Sequence, residues 1–124
     1  MSDRDPLALV RAHIAAFNAR DLDTVLSHFA DDAVFSTGQD VLVGRRAIRG
    51  LFAGAFEAPF EAALELRAAV VQGDTAACEL VETLTLRGAS TELALAGFYV
   101  VRDGLLGRVK VYREGSADAG DLPA

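Results

Sequence analysis

The chain is poor in several residue types, and each shortage excludes a class of structure or site. A single cysteine rules out an internal disulfide and is typical of a reducing compartment, so we expect a cytoplasmic protein. The two histidines lie far from that cysteine in sequence, and no metal site is expected. Neither the GxGxxG nor the GxxxxGK phosphate-binding pattern occurs, so the sequence predicts no nucleotide and no other cofactor.

Positive charge and long apolar segments are scarce as well. The chain has 12 Lys and Arg against 18 Asp and Glu, a net charge of -6, so neither nucleic acid nor an anionic membrane surface is an expected partner. Charged residues interrupt every apolar run before it reaches the ~18 residues that a membrane span needs. The first residues, MSDRDP, contain no apolar segment of the kind that a secretory signal requires.

Apolar residues are abundant, and their spacing predicts the elements. They make up 52% of 124 residues, enough for one domain, which we assign to residues 1–114, and the small polar tail at 115–124 is expected to be disordered. Helical spacing predicts helices over residues 6–19, 22–29 and 45–56. Alternation and turn signals predict strands over residues 33–37, 41–43, 60–72, 77–87, 91–101 and 105–113.

The two histidines have different predicted positions. Val10, His13, Ile14 and Phe17 follow helical spacing, so His13 belongs to the buried stripe of the first helix. It is either a core histidine with a backbone partner or a base or hydrogen-bond donor in a pocket, and both interpretations stay open. His28 has no chemically related residue near it in sequence, and we expect it at the surface or at a pocket rim.

The segment from Ala77 to Arg87 contains the most informative residue. It alternates as a strand, and one row of its side chains is apolar apart from the carboxylate of Glu82. A carboxylate on a row that faces the core must be neutralised, paired or hydrated. Glu82 is therefore a candidate site residue. The core-facing row consists of Cys78, Leu80, Glu82, Leu84 and Leu86.

Three helices followed by a four-stranded meander predict an α+β fold. We expect the three N-terminal helices to pack on a strongly curved antiparallel sheet, forming a cone with an internal pocket, as in a cystatin-like roll. The convex face of that sheet would expose more apolar surface than a small monomer usually does, which predicts a homodimer through that face. The residues concerned are Ala94, Ala96, Phe98, Val100 and Tyr112.

Three segments resemble the SnoaL-like and ketosteroid isomerase-like families of the nuclear transport factor 2 superfamily. They are FNARDLDTVLSHFADDAVF, VGRRAIRGLF and GFYVVRDGLLGRVKVYRE, and the resemblance extends from Leu7 to Glu114. It implies a curved-sheet cone with three helices, a hydrophobic pocket at its open end and usually a homodimer. It implies no single activity, because the superfamily includes isomerases, cyclases, epoxide hydrolases and proteins that only bind.

The catalytic residues of the best-known relatives are replaced here. Ketosteroid isomerases carry a tyrosine and two aspartates where this chain has His13, Thr37 and Gly97, so the resemblance does not imply steroid isomerisation by their mechanism. Limonene epoxide hydrolase uses an Asp-Arg-Asp set, and the matching positions here are Leu80, Cys78 and Val111.

The expected pocket combines apolar walls with a few polar groups, which is typical of a small-molecule site. If His13 and Glu82 meet there, they form either a catalytic acid-base pair or a structural pair that satisfies itself. Cys78 is a nucleophile only if a neighbour activates it, and a buried inert thiol is the simpler interpretation. The predicted catalytic residues are His13 and Glu82. The predicted binding residues are Phe17, Phe35, Thr37, Phe52, Phe56, Cys78, Leu80, Leu84, Tyr99, Val109 and Val111.

Two functional hypotheses follow. The first is a cofactor-independent isomerase, cyclase or hydrolase that acts on an apolar carbonyl or epoxide compound by acid-base catalysis. The second is a non-catalytic ligand-binding or dimerisation module of the same fold. The enzyme hypothesis predicts that Glu82 borders an open cavity, whereas the second allows a pocket filled by phenylalanines.

Overall fold

The computed structural model describes residues 5–113, which form three helices and one six-stranded sheet. The helices are α1 (Pro6–Asn18), α2 (Leu22–Ser27) and α3 (Arg45–Glu57). The strands are β1 (Phe29–Thr37), β2 (Asp40–Val43), β3 (Glu61–Gln72), β4 (Thr75–Leu86), β5 (Ala89–Arg102) and β6 (Leu105–Arg113). The tail at 115–124, predicted to be disordered, lies outside the described residues.

The first two helices begin at aspartate caps. The side chain of Asp5 accepts a hydrogen bond from the first turn of α1, and that of Asp21 does the same for α2. Helix α2 ends at Ser27, two residues before the predicted end, because the His28 carbonyl accepts a hydrogen bond from the backbone N–H of Leu106 and the chain enters β1. His28, expected at the surface or at a pocket rim, is buried, since the residue is only 6% exposed.

The sheet is mixed, with the strand order β2-β1-β6-β5-β4-β3. Strands β3 to β6 form the predicted antiparallel meander. The expectation of an entirely antiparallel sheet is wrong, because β1 pairs with β6 in parallel. Parallel neighbours need a long crossover. Here the chain between β1 and β6 forms it and contains β2, α3 and the strands β3 to β5. This pairing places Phe35 beside Val109 and Thr37 beside Val111.

A β-bulge in β3 alters the face predicted for its second half. Leu66 and Ala68 pair with the adjacent β4 residues Leu80 and Glu79, so one extra residue is accommodated between them. Side chains beyond the bulge therefore change faces. Strict alternation would place Val70 on the same face as Leu66, but Val70 is 70% exposed.

Side-chain bonds fix the helices on the sheet. The Asn18 side chain donates to the carbonyl of Leu64 over 2.9 Å and accepts from its N–H over 2.8 Å, which attaches the end of α1 to β3. Arg45 at the start of α3 donates to the carbonyl of Phe29 and pairs with Asp31 at 2.9 Å. The buried core lies between the helices and the inner face of the sheet. Within residues 5–113, no helix is both long and apolar enough to cross a membrane.

Candidate functional site

A cavity of about 290 Å³ lies between the helices and the inner face of the sheet. This volume is near the lower end of the range of roughly 300–1,000 Å³ that small-molecule sites occupy. Most of its wall is apolar, and the polar lining groups are few. Its lining residues are His13, Phe17, Phe35, Thr37, Leu51, Phe52, Ala55, Phe60, Ala62, Leu64, Leu80, Glu82, Leu84, Leu93, Leu95, Tyr99, Val111 and Arg113.

One end of the cavity carries an ion pair. Arg113 Nη1 donates to Glu82 Oε1 over 2.9 Å, and Arg113 Nε donates to Thr37 Oγ1 over 3.1 Å. The Glu82 side chain is 10% exposed and that of Arg113 is 42% exposed, so the pair sits where the cavity meets solvent. We call this group of three residues the mouth cluster. It holds a carboxylate and a guanidinium at one position on an otherwise apolar wall.

Arg113 was not among the residues predicted from the sequence, although the alternation contained the necessary signal. Residues 109, 111 and 113 share one face of β6, and the first two are buried valines that were correctly assigned to the inner row. Arg113 was overlooked because it is the last residue of the strand. Its long side chain reaches across β5 to Glu82 on β4.

The opposite end of the cavity is closed by His13 and aromatic rings. The His13 imidazole is 2% exposed, and its ring centroid lies 5.4 Å from that of Phe29 and 5.7 Å from that of Phe52. Burial, together with the charge of nearby His28, lowers the pKa of His13 to about 4, so the ring is neutral at pH 7. Within residues 5–113, Nδ1 of His13 has no hydrogen-bond partner.

Tyr99 supplies the second polar group at this end. Its ring centroid lies 6.3 Å from that of His13, and its side chain is buried. The phenol folds back over Gly97, where a Cβ would lie 2.6 Å from the ring and 2.9 Å from the hydroxyl oxygen. Burial raises the pKa of Tyr99, so the hydroxyl stays protonated and can donate a hydrogen bond at neutral pH. Because Gly97 has no side chain, it leaves room for the Tyr99 phenol, which is the hydrogen-bond donor at this end of the cavity.

Ten of the residues proposed from the sequence line this one cavity. They are His13, Phe17, Phe35, Thr37, Phe52, Leu80, Glu82, Leu84, Tyr99 and Val111. Phe56, Cys78 and Val109 were proposed with them but do not line it. The Phe56 ring packs 5.5 Å from that of Phe17, and Val109 is fully buried in the core. Burial raises the pKa of the Cys78 thiol, and the charge of Arg11 offsets this in part, which suits an inert thiol better than a nucleophile.

His13 and Glu82 border the same cavity but are not bonded to each other. Glu82 is paired with Arg113, and His13 is enclosed by aromatic rings at the other end. The direct acid-base pair considered for these two residues is therefore absent from the described part of the chain. Residues 5–113 also contain no group of three or more His, Cys, Asp and Glu side chains that could hold a metal ion.

Comparisons with known proteins agree with this architecture. An epoxide hydrolase from M. tuberculosis described as LEH-like superposes with a TM-score of 0.79 at 20% identity, covering 88% of this chain and 82% of the other. The epoxide hydrolase/cyclase-like enzyme SalBIII, described in pyran ring formation in salinomycin, gives 0.80 at 20% identity, covering 91% and 92%. An uncharacterised cystatin-fold protein from Novosphingobium aromaticivorans gives 0.75 at 28% identity, covering 89% and 99%.

These structural similarities establish the fold, and identities at or near 20% carry no activity across. A comparison with curated protein sequences found no match. The SnoaL-like domain profile, in contrast, matches residues 10–109, which is most of the chain and includes most of the cavity wall. The chain therefore belongs to the SnoaL-like domain family.

Proposed function

We propose that this protein binds an apolar carbonyl compound and catalyses proton transfer at the carbon next to the carbonyl, as an isomerase or cyclase without a cofactor. The observation that carries this proposal is the Glu82–Arg113 pair on the apolar cavity wall. A carboxylate can accept a proton, and an adjacent guanidinium can stabilise the negative charge that develops on the carbonyl oxygen. Both functions are needed for enolisation, and both are present at one position.

The proton and the electron pair move as follows. Glu82 takes the proton from the carbon, the electron pair of that C–H bond forms the C=C bond of an enolate, and the carbonyl electrons move to oxygen, where Arg113 donates. If the substrate has a β,γ C=C bond, the enolate is a dienolate, and return of the proton from Glu82 to the γ-carbon completes an isomerisation. If the enolate carbon instead attacks a second carbonyl, the alkoxide that forms takes the proton from Glu82 and completes a cyclisation. Glu82 is regenerated as the carboxylate in both cases.

A carbonyl substrate is favoured over an epoxide by the inner wall itself. The positions that match the Asp-Arg-Asp set of limonene epoxide hydrolase hold Leu80, Cys78 and Val111, none of which activates water or an epoxide oxygen. The fold similarity to the cyclase-like enzyme SalBIII is compatible with the proposal but does not select a reaction.

Hydrogen-deuterium exchange at the α-carbon of a ketone tests the proposal without knowledge of the natural substrate. 1-Tetralone is incubated with the protein in D₂O, and loss of the α-proton signal is followed by NMR. We expect exchange to be faster with the protein than without it, and Glu82→Gln to remove most of an acceleration on the order of 100- to 10,000-fold. Glu65→Gln is the matched control, because Glu65 forms a surface pair with Arg67 at 3.1 Å.

Unchanged exchange in Glu82→Gln would overturn the catalytic role of this residue. The ion pair itself favours a second candidate, a binding module without catalysis, because a carboxylate already held by Arg113 can be a structural feature of the wall. Under that alternative, 1-tetralone binds, its α-proton does not exchange faster than in buffer, and Glu82→Gln changes affinity or stability alone.

We also propose that the protein forms a homodimer through the outer face of the sheet. Phe98 and Tyr112 are 45% and 53% exposed there, and their ring centroids lie 5.9 Å apart. The strand pairing places Lys110 on β6 directly opposite Phe98, and it places Glu79 on β4 opposite Ala96, two residues from Phe98 along β5. A two-fold axis near Phe98 would bring the carboxylate of each copy towards the ammonium group of the other.

A further inference from the structure

The cavity has two polar ends separated by apolar wall. The mouth cluster lies at one end, and His13 with Tyr99 lies at the other. The strand pairing sets Glu82 opposite Leu93 and Cys78 opposite Gly97, so the mouth is four residues along the strands from the level of Gly97. At about 3.3 Å per residue, this separation is about 13 Å between backbone positions.

The mouth end carries no net charge. Glu82 and Arg113 compensate each other at 2.9 Å, and Thr37 accepts a second bond from Arg113. A ligand carboxylate placed there would meet the Glu82 carboxylate as well as the guanidinium. An uncharged oxygen that accepts from Arg113 suits this end better, and a hydroxyl or enol can in addition donate to Glu82.

The closed end offers a hydrogen-bond donor and no charge. The Tyr99 phenol lines the cavity there, its ring centroid lies 6.3 Å from that of His13, and its hydroxyl stays protonated. Nδ1 of His13 has no hydrogen-bond partner within residues 5–113, but it has almost no accessible surface, so a ligand in the cavity does not reach it. An oxygen of the ligand would accept from the Tyr99 hydroxyl, and a charged group would remain uncompensated, because the neighbouring imidazole is neutral.

We infer that the cavity selects an uncharged compound with an oxygen-bearing group at each end of an apolar skeleton. This inference rests on the proposed binding function and adds the substrate class. The carbonyl or enol oxygen lies at the mouth beside Arg113 and Glu82, and the second hydroxyl or carbonyl lies at the closed end beside Tyr99 and His13. Anionic compounds with the same skeleton are disfavoured.

Three flat aromatic probes test this selection by isothermal titration calorimetry. They are 2-naphthol, 2,6-dihydroxynaphthalene and 6-hydroxy-2-naphthoate. We expect the diol to bind at least about fivefold more tightly than 2-naphthol, because one further hydrogen bond is made. The hydroxynaphthoate should bind most weakly. Tyr99→Phe should remove the advantage of the diol, whereas Tyr112→Phe, which removes the same atom from the outer face, should keep it.

Glu82→Gln provides a test of the charge argument. The change leaves Arg113 without its carboxylate, so the mouth becomes positive, and the order of the diol and the hydroxynaphthoate should reverse. Glu65→Gln should leave the order unchanged, since Glu65 pairs with Arg67 at the surface. Because the measured quantity is the ratio of one variant's affinities for the diol and the hydroxynaphthoate, a general loss of stability would not produce the reversal.

The possible failures are distinguishable. Equal affinity for the diol and 2-naphthol, or tighter binding of hydroxynaphthoate by the native protein, would overturn the two-ended, uncharged selection while leaving binding itself intact. Absence of binding for all three probes would overturn the selection together with the proposed binding function.

Discussion

Arg113 and Glu82 are joined at 2.9 Å although they belong to strands that are not neighbours. Strand β5 lies between them, so the pair spans its inner face and connects β6 with β4. The same guanidinium also donates to Thr37 on β1. One side chain thereby links three strands at the mouth of the cavity and is the only cation among the described residues that line it.

Removal of Arg113 should destabilise the fold. Arg113→Gln leaves the Glu82 carboxylate, whose side chain is 10% exposed, without its cationic partner. We expect the free energy of unfolding in urea to fall by about 1–2 kcal/mol at pH 7, with the partial exposure of Arg113 limiting the loss. Arg67→Gln is the control, because it breaks a surface pair and should change stability by less than about 0.5 kcal/mol. Equal effects of the two substitutions would contradict a structural role for the pair.

Acidification should destabilise the protein through His13. Its pKa is about 4 in the fold against the usual 6.5 of a histidine side chain, so the unfolded chain binds the proton first. Stability is therefore complete above pH 6.5 and is lost as the pH falls from about 6.5 to 4. Between pH 7 and pH 4.5 the native protein should lose about 2–3 kcal/mol more than His13→Leu, measured by urea unfolding at both pH values. Identical pH dependence of the two proteins would show that His13 is not the group responsible.

Two glycine-to-alanine substitutions should have opposite effects. At Gly97 the new methyl group would lie 2.6 Å from the Tyr99 ring, so the ring must move, and we expect a loss of about 1–3 kcal/mol with weaker ligand binding. At Gly54, which is exposed in α3 with open space around it, alanine should stabilise the helix by about 0.5–1 kcal/mol. Thermal unfolding measures both. A stabilised Gly97→Ala variant would refute the packing of Tyr99 against this position.

A charge on the outer face should prevent the proposed dimer. Phe98→Asp places a carboxylate at the centre of that face, and we expect the molar mass in analytical ultracentrifugation to fall from dimer to monomer. Val43→Asp is the control, because Val43 is 66% exposed on β2, away from Phe98. A native protein that sediments as a monomer would rule out the dimer directly.

Periodicity was sufficient to predict most of the architecture. The helical stripe of His13 and Phe17 and the alternation through Leu80 and Glu82 each placed side chains on the face where the structure has them. The bulge in β3 escaped prediction because its extra residue leaves no local sequence signal. The parallel pairing of β1 with β6 escaped as well, because it depends on contacts between residues about 75 positions apart, such as Thr37 and Val111.

Only part of the candidate site could be predicted, because long-range contacts also determine which of its side chains meet. Local patterns identify which residues face inward, but not which inward residues meet. His13 and Glu82 were both placed correctly on inner faces, yet the partner of Glu82 is Arg113, at the far end of the chain. The space for the Tyr99 ring depends on Gly97, two residues away, and becomes recognisable only when the direction of the side chain is known.

Ligand-induced NMR shifts of assigned methyl groups would show whether a small molecule enters this cavity. The protein is labelled at Leu and Val methyl groups and titrated with 2-naphthol, with Leu80, Leu95 and Val111 as reporters inside the cavity and Val41 and Val43 as reporters on exposed β2. We predict saturable shifts for the three cavity residues and none for the two surface residues. Shifts confined to the surface, or no saturable shift at all, would contradict the assignment of this cavity as a small-molecule site.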